Sequence, residues 1–251
     1  MIARPVRALS SLVAVLLAVA CTNSFEIPIE TPIRPKLDVT PFQRVLVAGF
    51  IAGGTEDVDG NLETTRLLRS QLRTKSELRV IDSDVLPLVD VAAEARDSAG
   101  GAPPATPPIK EEKDLEAYEH VFANVEYWKK IGEEYQQPLI VTGTVMFTPL
   151  QRNSIVQREQ EVYDSFGRRR VVPVRTYMER KGFSLDGRFI FIDGRSGATL
   201  HSETFGEQIL YNANQTTPAL SSYFELMDRL IPTFLSTLSS QKIKGTRILL
   251  Q

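Results

Sequence analysis

Short apolar runs alternate with amphipathic segments over residues 43–250, and this alternation predicts strands and helices in turn. Residues 45–50 form an apolar run between polar neighbours, which is typical of a buried strand. Further strands are predicted at residues 78–81, 139–147, 183–192, 198–209 and 247–250. With helices between them, these strands predict an α/β fold, a mixed β-sheet flanked by helices.

Four segments have the spacing of apolar residues that is typical of helices: residues 61–75, 84–96, 113–136 and 217–238. Asn61 is the predicted cap of the first helix, because its side chain can accept a hydrogen bond from the first turn. In the last helix Thr217 is the predicted cap and Pro218 the first helical residue. Pro232 is expected to kink that helix.

Residues 150–182 are predicted to form an extended polar β-hairpin. Its two arms, residues 154–163 and 170–180, are joined by a turn at residues 164–167. Charged side chains such as Arg158 and Glu159 interrupt the arms, so neither side of the first arm is the continuous apolar face that a membrane hairpin needs. We therefore expect the arms to make their contacts in water.

The first 20 residues have the pattern of a secretory signal peptide. Arg4 and Arg7 give a basic start, an uncharged apolar stretch follows, and small residues precede Cys21, the only cysteine. A cysteine at the first mature position is where bacterial lipoproteins are cleaved and acylated with palmitate. Residues 18–20 also fit ordinary signal peptidase, which would release a free periplasmic protein, and an uncleaved anchor is a third alternative.

Residues 21–42 are interpreted as a lipidated N-terminus followed by a proline-rich tether. The alternation of Phe25, Ile27 and Ile29 leaves open that part of this segment is an edge strand. Thr22 follows the cysteine, where an aspartate often retains lipoproteins at the inner membrane, so an outer-membrane location facing the periplasm is predicted. The mature domain is assigned to residues 43–251, with a flexible insertion rich in alanine, glycine and proline at residues 97–112.

Charge is nearly balanced, with 29 basic and 31 acidic residues, so the composition gives no indication of nucleic-acid binding. The two histidines, His120 and His201, have no partner at metal-ligand spacing. Asp57, Asp59 and Asn61 have the alternation of a calcium loop, but turn and helix-cap chemistry explains them more simply. We predict no catalytic residue, no metal site and no cofactor.

A cluster of basic residues lies at the predicted hairpin tip, with Arg168, Arg169 and Arg170 in succession and Arg175 nearby. A solvated hairpin end is one interpretation of this cluster. The other is a docking surface for an acidic protein, an anionic lipid or a cell-wall polymer. These four arginines are the candidate partner-binding residues.

In its order of strands and turns the chain resembles a superfamily of bacterial envelope lipoproteins that includes the curli-secretion lipoprotein CsgG, lipoprotein activators of penicillin-binding proteins and the N-terminal domain of TolB. The resemblance lies in four segments, residues 44–50, 78–81, 131–145 and 189–197. It implies a mixed sheet flanked by helices and a role in binding, scaffolding or oligomerisation, not in catalysis. The polar arms differ from the barrel-forming hairpins of a curli pore.

The leading hypothesis is a non-enzymatic outer-membrane lipoprotein whose periplasmic domain binds a protein partner in envelope assembly or cell-wall regulation. One alternative is a homo-oligomeric ring in a secretion or export apparatus. The other is an enzyme or small-ligand binder whose cleft gathers carboxylates such as Asp57, Asp59, Asp193 or Glu207.

Overall fold

A computed structural model describes residues 24–92, 109–163, 165–212, 215 and 217–250, with the backbone alone at residues 24, 25, 241, 243 and 248–250. Two compact units divide these residues: residues 36–239 form one, and the described residues on either side of that range form the other. Cys21, residues 97–108 of the predicted insertion and residues 93–96 of the second predicted helix lie outside the described residues.

The larger unit contains a five-stranded mixed sheet in the order β3-β2-β4-β5-β6. Strand β2 is parallel to its neighbours β3 and β4, whereas β5 is antiparallel to its neighbours β4 and β6. The strands are β2 (Arg44–Gly54), β3 (Arg79–Val80), β4 (Leu139–Tyr163), β5 (Arg169–Asp193) and β6 (Thr199–Asn212). The predicted α/β fold with a mixed sheet is confirmed.

Helices cover both faces of this sheet, and each face has its own apolar core. Helices α1 (Gly60–Lys75) and α5 (Ala219–Leu238) pack on one face, where odd-numbered residues of β4 and β5 such as Phe147 and Phe189 are buried. The other face buries even-numbered residues such as Ile140 and Ile190. It is covered by residues 88–92 and by three short helices, α2 (Glu112–Glu116), α3 (Glu119–Ala123) and α4 (Val125–Glu134).

Helices α2 to α4 replace the single helix predicted at residues 113–136, so that prediction was wrong. The break before α4 is explained by Asn124, whose side-chain oxygen accepts a hydrogen bond from the backbone N–H of Tyr127 at 3.1 Å and so caps a new helix. The apolar spacing continues across the breaks because all three helices bury their side chains against the same sheet face.

Two predicted helix caps were also wrong. Asp59 caps α1 by accepting a hydrogen bond from the N–H of Leu62 at 3.0 Å, whereas the Asn61 side chain accepts one from the N–H of Phe50 at 2.7 Å. Pro218 precedes the first residue of α5, and within the described residues no side-chain hydrogen bond caps this helix. The helix continues through Pro232 to Leu238.

The connection from α4 into β4 is tightly packed. Gln136 and Gln137 both have left-handed backbones, with φ of 64° and 57°, which is unfavourable for residues with a Cβ atom. Gly132 approaches the β5–β6 turn so closely that an added Cβ would lie 1.7 Å from the carbonyl oxygen of Gly194. Only glycine fits at residue 132 without moving the helix.

Glu203 on β6 is ionised more readily than an ordinary glutamate. Burial disfavours its charged form, but hydrogen bonds from Lys36 and Thr237 together with the charges of Lys36 and His201 outweigh this effect, so the pKa of Glu203 lies below its usual value. The carboxylate therefore favours the folded state as long as it is ionised.

The smaller unit is a two-stranded antiparallel ribbon of β1 (Ser24–Ile33) and β7 (Gln241–Leu250). Residues 24–33 of the predicted tether thus form a strand, which was the alternative left open for this segment. Lys242 and Lys244 both form ion pairs with Glu30 across the ribbon, at 3.2 Å and 3.9 Å. Of the predicted insertion at residues 97–112, Ile109 is buried in the larger unit and Glu112 begins α2, so these residues belong to the folded unit.

Candidate functional site

Strands β4 and β5 extend far beyond the sheet as a two-stranded hairpin. Pairing of β2 with β4 ends at Phe147, and pairing of β6 with β5 ends at Arg180. We call residues 152–163 and 169–180 the outer hairpin; beyond Arg180, no third strand pairs with it among the residues that the structure describes. Its 12 residue pairs span about 40 Å at roughly 3.3 Å per residue. Each predicted arm is therefore the continuation of a core strand, not a separate element.

Aromatic side chains anchor the root of the outer hairpin to α5. Phe147 stacks on Phe183 across the two strands, with 4.8 Å between ring centroids, and Tyr223 of α5 meets Phe147 edge-on at 5.1 Å. The Tyr223 hydroxyl is hydrogen-bonded to the side chain of Thr64 and, at 3.1 Å, to the carbonyl oxygen of Gly60. Packed aromatic pairs and buried hydrogen bonds fix the direction in which the hairpin leaves the core.

The predicted basic cluster is divided among different surfaces of the hairpin. Arg168 lies in the turn, with its guanidinium 5.4 Å from the ring centroid of Phe166. Arg169 forms an ion pair with Glu161 at 2.8 Å. Arg170 lies on the opposite face from Arg169, because successive strand residues alternate between faces. The three arginines therefore do not form one surface.

Arg175 shares the face of Arg169 but lies about 20 Å from it along the strand. On the same face, Ile155 and Tyr177 are directly paired across the strands, and their side chains are 72% and 63% exposed. An exposed aliphatic–aromatic pair of this kind has apolar area to bury against a partner.

The regular register of the outer hairpin separates its charges by face. Odd-numbered residues form the mixed face, where the glutamates are Glu159, Glu161 and Glu179 and the arginines are Arg169 and Arg175. Even-numbered residues form the arginine face, whose charged strand residues are all arginines: Arg152, Arg158, Arg170 and Arg180. Of these four, only Arg170 was among the predicted site residues.

Sequence reasoning missed the arginine face because the alternation becomes visible only after the register is known. A pairing of Tyr163 with Arg169 assigns every later residue of both arms to a face. The predicted turn at residues 164–167 would pair Tyr163 with Arg168, one residue away from this register, and would therefore place each residue of the second arm on the wrong face.

A groove lies on the sheet on the same side as the arginine face, nearer the core. Its volume is about 720 Å³, and its floor includes Thr144, Met146 and Asp186. Arg188 reaches across this groove to form an ion pair with Glu119. The walls and floor are acidic on balance, with five carboxylates against three cations: Glu111, Glu112, Glu116, Glu119 and Asp186 against Lys110, Lys113 and Arg188.

Three carboxylates of the alternative enzyme cleft, Asp57, Asp59 and Asp193, have separate structural roles, and the fourth, Glu207, lies on β6 opposite Leu185. Asp57 bonds the hydroxyl of Thr55 at 3.0 Å, and Asp59 caps α1. Asp193 accepts hydrogen bonds within the β5–β6 turn and pairs with Leu139, at the end of the sheet opposite the outer hairpin. Within the described residues no group of three or more histidine, cysteine, aspartate or glutamate side chains is placed to hold a metal ion.

No helix in the described part of the chain is both long and apolar enough to cross a membrane. No protein-family model matches the chain, and no curated protein matches it either.

The solved structures that the chain resembles include bacterial lipoproteins. One is the lipoprotein GNA1162 from Neisseria meningitidis, at 12% identity and a TM-score of 0.34, covering 76% of this chain and 97% of that one. A second is the LpoB C-terminal domain from Salmonella enterica, at 8% identity and a TM-score of 0.33, covering 70% and 86%. A third is a PelC dodecamer from Paraburkholderia phytofirmans, at 13% identity and a TM-score of 0.37, covering 86% and 100%. With TM-scores below 0.5, these likenesses carry no argument about mechanism.

Proposed function

We propose that the chain is a non-enzymatic lipoprotein of the bacterial outer membrane whose periplasm-facing α/β domain binds a protein partner through the outer hairpin. Palmitate on Cys21 would hold the N-terminus at the membrane, while the domain itself stays in water. A role in envelope assembly or cell-wall regulation fits such a protein.

The outer hairpin is the observation that supports this proposal. It extends well beyond the sheet, is anchored at its root by Phe147 and Phe183, and exposes Ile155 and Tyr177 side by side. Exposed apolar side chains on a fixed, projecting element are typical of a surface that contacts another macromolecule.

The proposal is tested by the mass and composition of the native complex, extracted from membranes in mild detergent. One copy of the chain with a distinct envelope protein is the expected result. A closed multiple of this chain alone would replace the proposal with a ring-forming structural role. A lone acylated monomer under conditions that preserve other envelope complexes would contradict partner binding.

A matched pair of variants assigns the contact to the hairpin. Ile155→Ser with Tyr177→Ser removes the exposed pair, and Leu220→Ser with Phe224→Ser removes two apolar side chains of α5 that are 44% and 37% exposed. We expect the first variant to lose the partner and the second to retain it. Equal retention by both would exclude the exposed pair as part of the contact.

A further inference from the structure

On one face of the outer hairpin every charged strand residue is an arginine. Arg152 and Arg180 are directly paired across the strands, and Arg158 and Arg170 follow farther out on the same side. Arg152, Arg158 and Arg180 are exposed, and the structure gives them no ion pair among the residues it describes. Directly opposed like charges disfavour strand pairing, so the opposition of Arg152 and Arg180 works against the hairpin's own stability.

The opposite face shows that this imbalance is not a general property of the hairpin. On the mixed face Glu161 pairs with Arg169 at 2.8 Å, and Glu179 pairs with Lys181 at 3.3 Å. Charged side chains on exposed strands protect against edge-to-edge aggregation, but that protection needs no separation of signs by face. The arginine face therefore requires a reason of its own.

We propose that the arginine face binds an extended acidic segment of a protein partner. Arginine matches carboxylates with paired N–H donors, and all the charged strand residues of this face are arginines. Because it names the chemistry of the partner, this assignment rests on the proposed partner-binding function.

The spacing of the arginines favours a long ligand over a small anion. About 20 Å of strand separates Arg152 from Arg158, and about 13 Å more leads to Val162, the partner of Arg170. These separations exceed the screening length of about 8 Å at physiological salt, so one small anion cannot engage the whole face. A polypeptide with carboxylates along some 33 Å can.

Aliphatic side chains between the arginines favour a polypeptide over a lipid surface. Val156, Val172 and Val174 lie on the arginine face and are half-buried, so they offer apolar contacts between the charges. The acidic groove with Asp186 and Glu119 opens on the same side nearer the core, and it repels a broad anionic bilayer but leaves a narrow segment free to bind.

The test is a binding titration of the full chain with a labelled peptide of alternating valine and glutamate, compared with one of alternating valine and glutamine. One variant carries Arg152→Gln, Arg158→Gln and Arg180→Gln. A matched control carries Arg169→Gln, Arg175→Gln and Lys181→Gln, which removes two positive charges from the mixed face and a third from Lys181, next to the outer hairpin on the same side of β5. Circular dichroism and urea unfolding establish that both variants fold.

We expect the glutamate peptide to bind and the glutamine peptide not to bind. Three exposed contacts, each worth a factor of about two to five, predict that the arginine-face variant weakens binding about ten-fold or more. The mixed-face variant should change it by less than about three-fold. Equal weakening by both variants would overturn the assignment, because net charge alone would then explain binding.

Two further measurements distinguish other possible ligands of the arginine face. Suppose that the wild-type chain binds vesicles that contain phosphatidylglycerol but does not bind the peptide, and that the arginine-face variant does not bind the vesicles. This result would overturn the assignment in favour of lipid. A homo-oligomer dissociated by the same variant would overturn it in favour of a second copy. If both variants capture the native protein partner equally, this assignment fails while the proposed function stands. If the arginine face binds the peptide but the chain has no native protein partner, the proposed function fails.

Discussion

Tyr223→Phe tests the anchor of the outer hairpin, because it removes one hydroxyl and keeps the aromatic ring against Phe147. The hydroxyl bonds the side chain of Thr64 and the carbonyl oxygen of Gly60. Thr64 also donates to the Gly60 carbonyl oxygen at 2.6 Å, so neither neighbour loses its last partner. The loss is therefore that of an ordinary buried hydrogen bond, about 1 kcal/mol of the free energy of unfolding near neutral pH.

The pH dependence of this loss identifies its origin. Burial raises the pKa of Tyr223, whereas an unfolded tyrosine titrates near 10. The neutral phenol therefore contributes its full stabilisation below about pH 10. Above that pH the free energy of unfolding decreases by about 1.4 kcal/mol per pH unit, because the unfolded chain loses the proton first. Phe has no proton to lose, so the difference between wild type and variant should shrink and change sign at about pH 10.6.

Urea unfolding followed by circular dichroism from pH 8 to pH 11 measures both quantities. Thr64→Val is the control, since it perturbs the same hydrogen bonds but keeps the phenol and its steep alkaline dependence. If the difference between wild type and Tyr223→Phe stays constant through pH 11, Tyr223 titrates as it does in the unfolded chain. That result would refute the burial of the Tyr223 hydroxyl at the root of the hairpin.

Three other substitutions probe the packing of the larger unit. Gly132→Ala should lower the free energy of unfolding by about 3 kcal/mol, because its Cβ would overlap the carbonyl oxygen of Gly194; a change below 1 kcal/mol in urea unfolding would refute this contact. Gln137→Gly should raise stability by about 0.5 kcal/mol by relieving its left-handed backbone, whereas Gln137→Ala should give no gain. Glu203→Gln should be less stable than wild type at pH 7, and the difference should disappear as the pH falls below the ordinary range of a glutamate and through the lowered pKa of Glu203; a difference independent of pH would contradict its ionisation in the folded state.

The sheet was accessible from the sequence because its strands are apolar runs with clear boundaries. Residues 45–50 and 139–147 were both predicted as strands, and both lie at the centre of the sheet. Strand length was less accessible: β4 and β5 each contain 25 residues, and the change from apolar to polar sequence marks only the place where the core ends. Backbone pairing continues past that place because cross-strand hydrogen bonds do not depend on side-chain polarity.

Helix boundaries were predicted less well, for a reason visible at Asn124 and Asn61. Both are residue types that cap helices. Asn124 does cap α4, whereas the side chain of Asn61 bonds the backbone of β2 while the preceding aspartate caps α1. Local sequence cannot decide between a cap and a tertiary hydrogen bond, because both satisfy the same side-chain oxygen.

The charges of the hairpin show how much depends on register. In sequence, Arg168, Arg169 and Arg170 form a single cluster, and charged residues interrupt the arms around them. Pairing Tyr163 with Arg169 sends alternate residues to opposite faces, and a shift of one residue in β5 would move Arg170 and Arg180 to the side of the glutamates of β4. Because β4 and β5 pair without interruption from the buried core outward, the apolar core fixes this register and thereby the positions of the arginines. The stacked pair of Phe147 and Phe183 at the root therefore controls the surface that we propose to meet a partner, although neither side chain is near it.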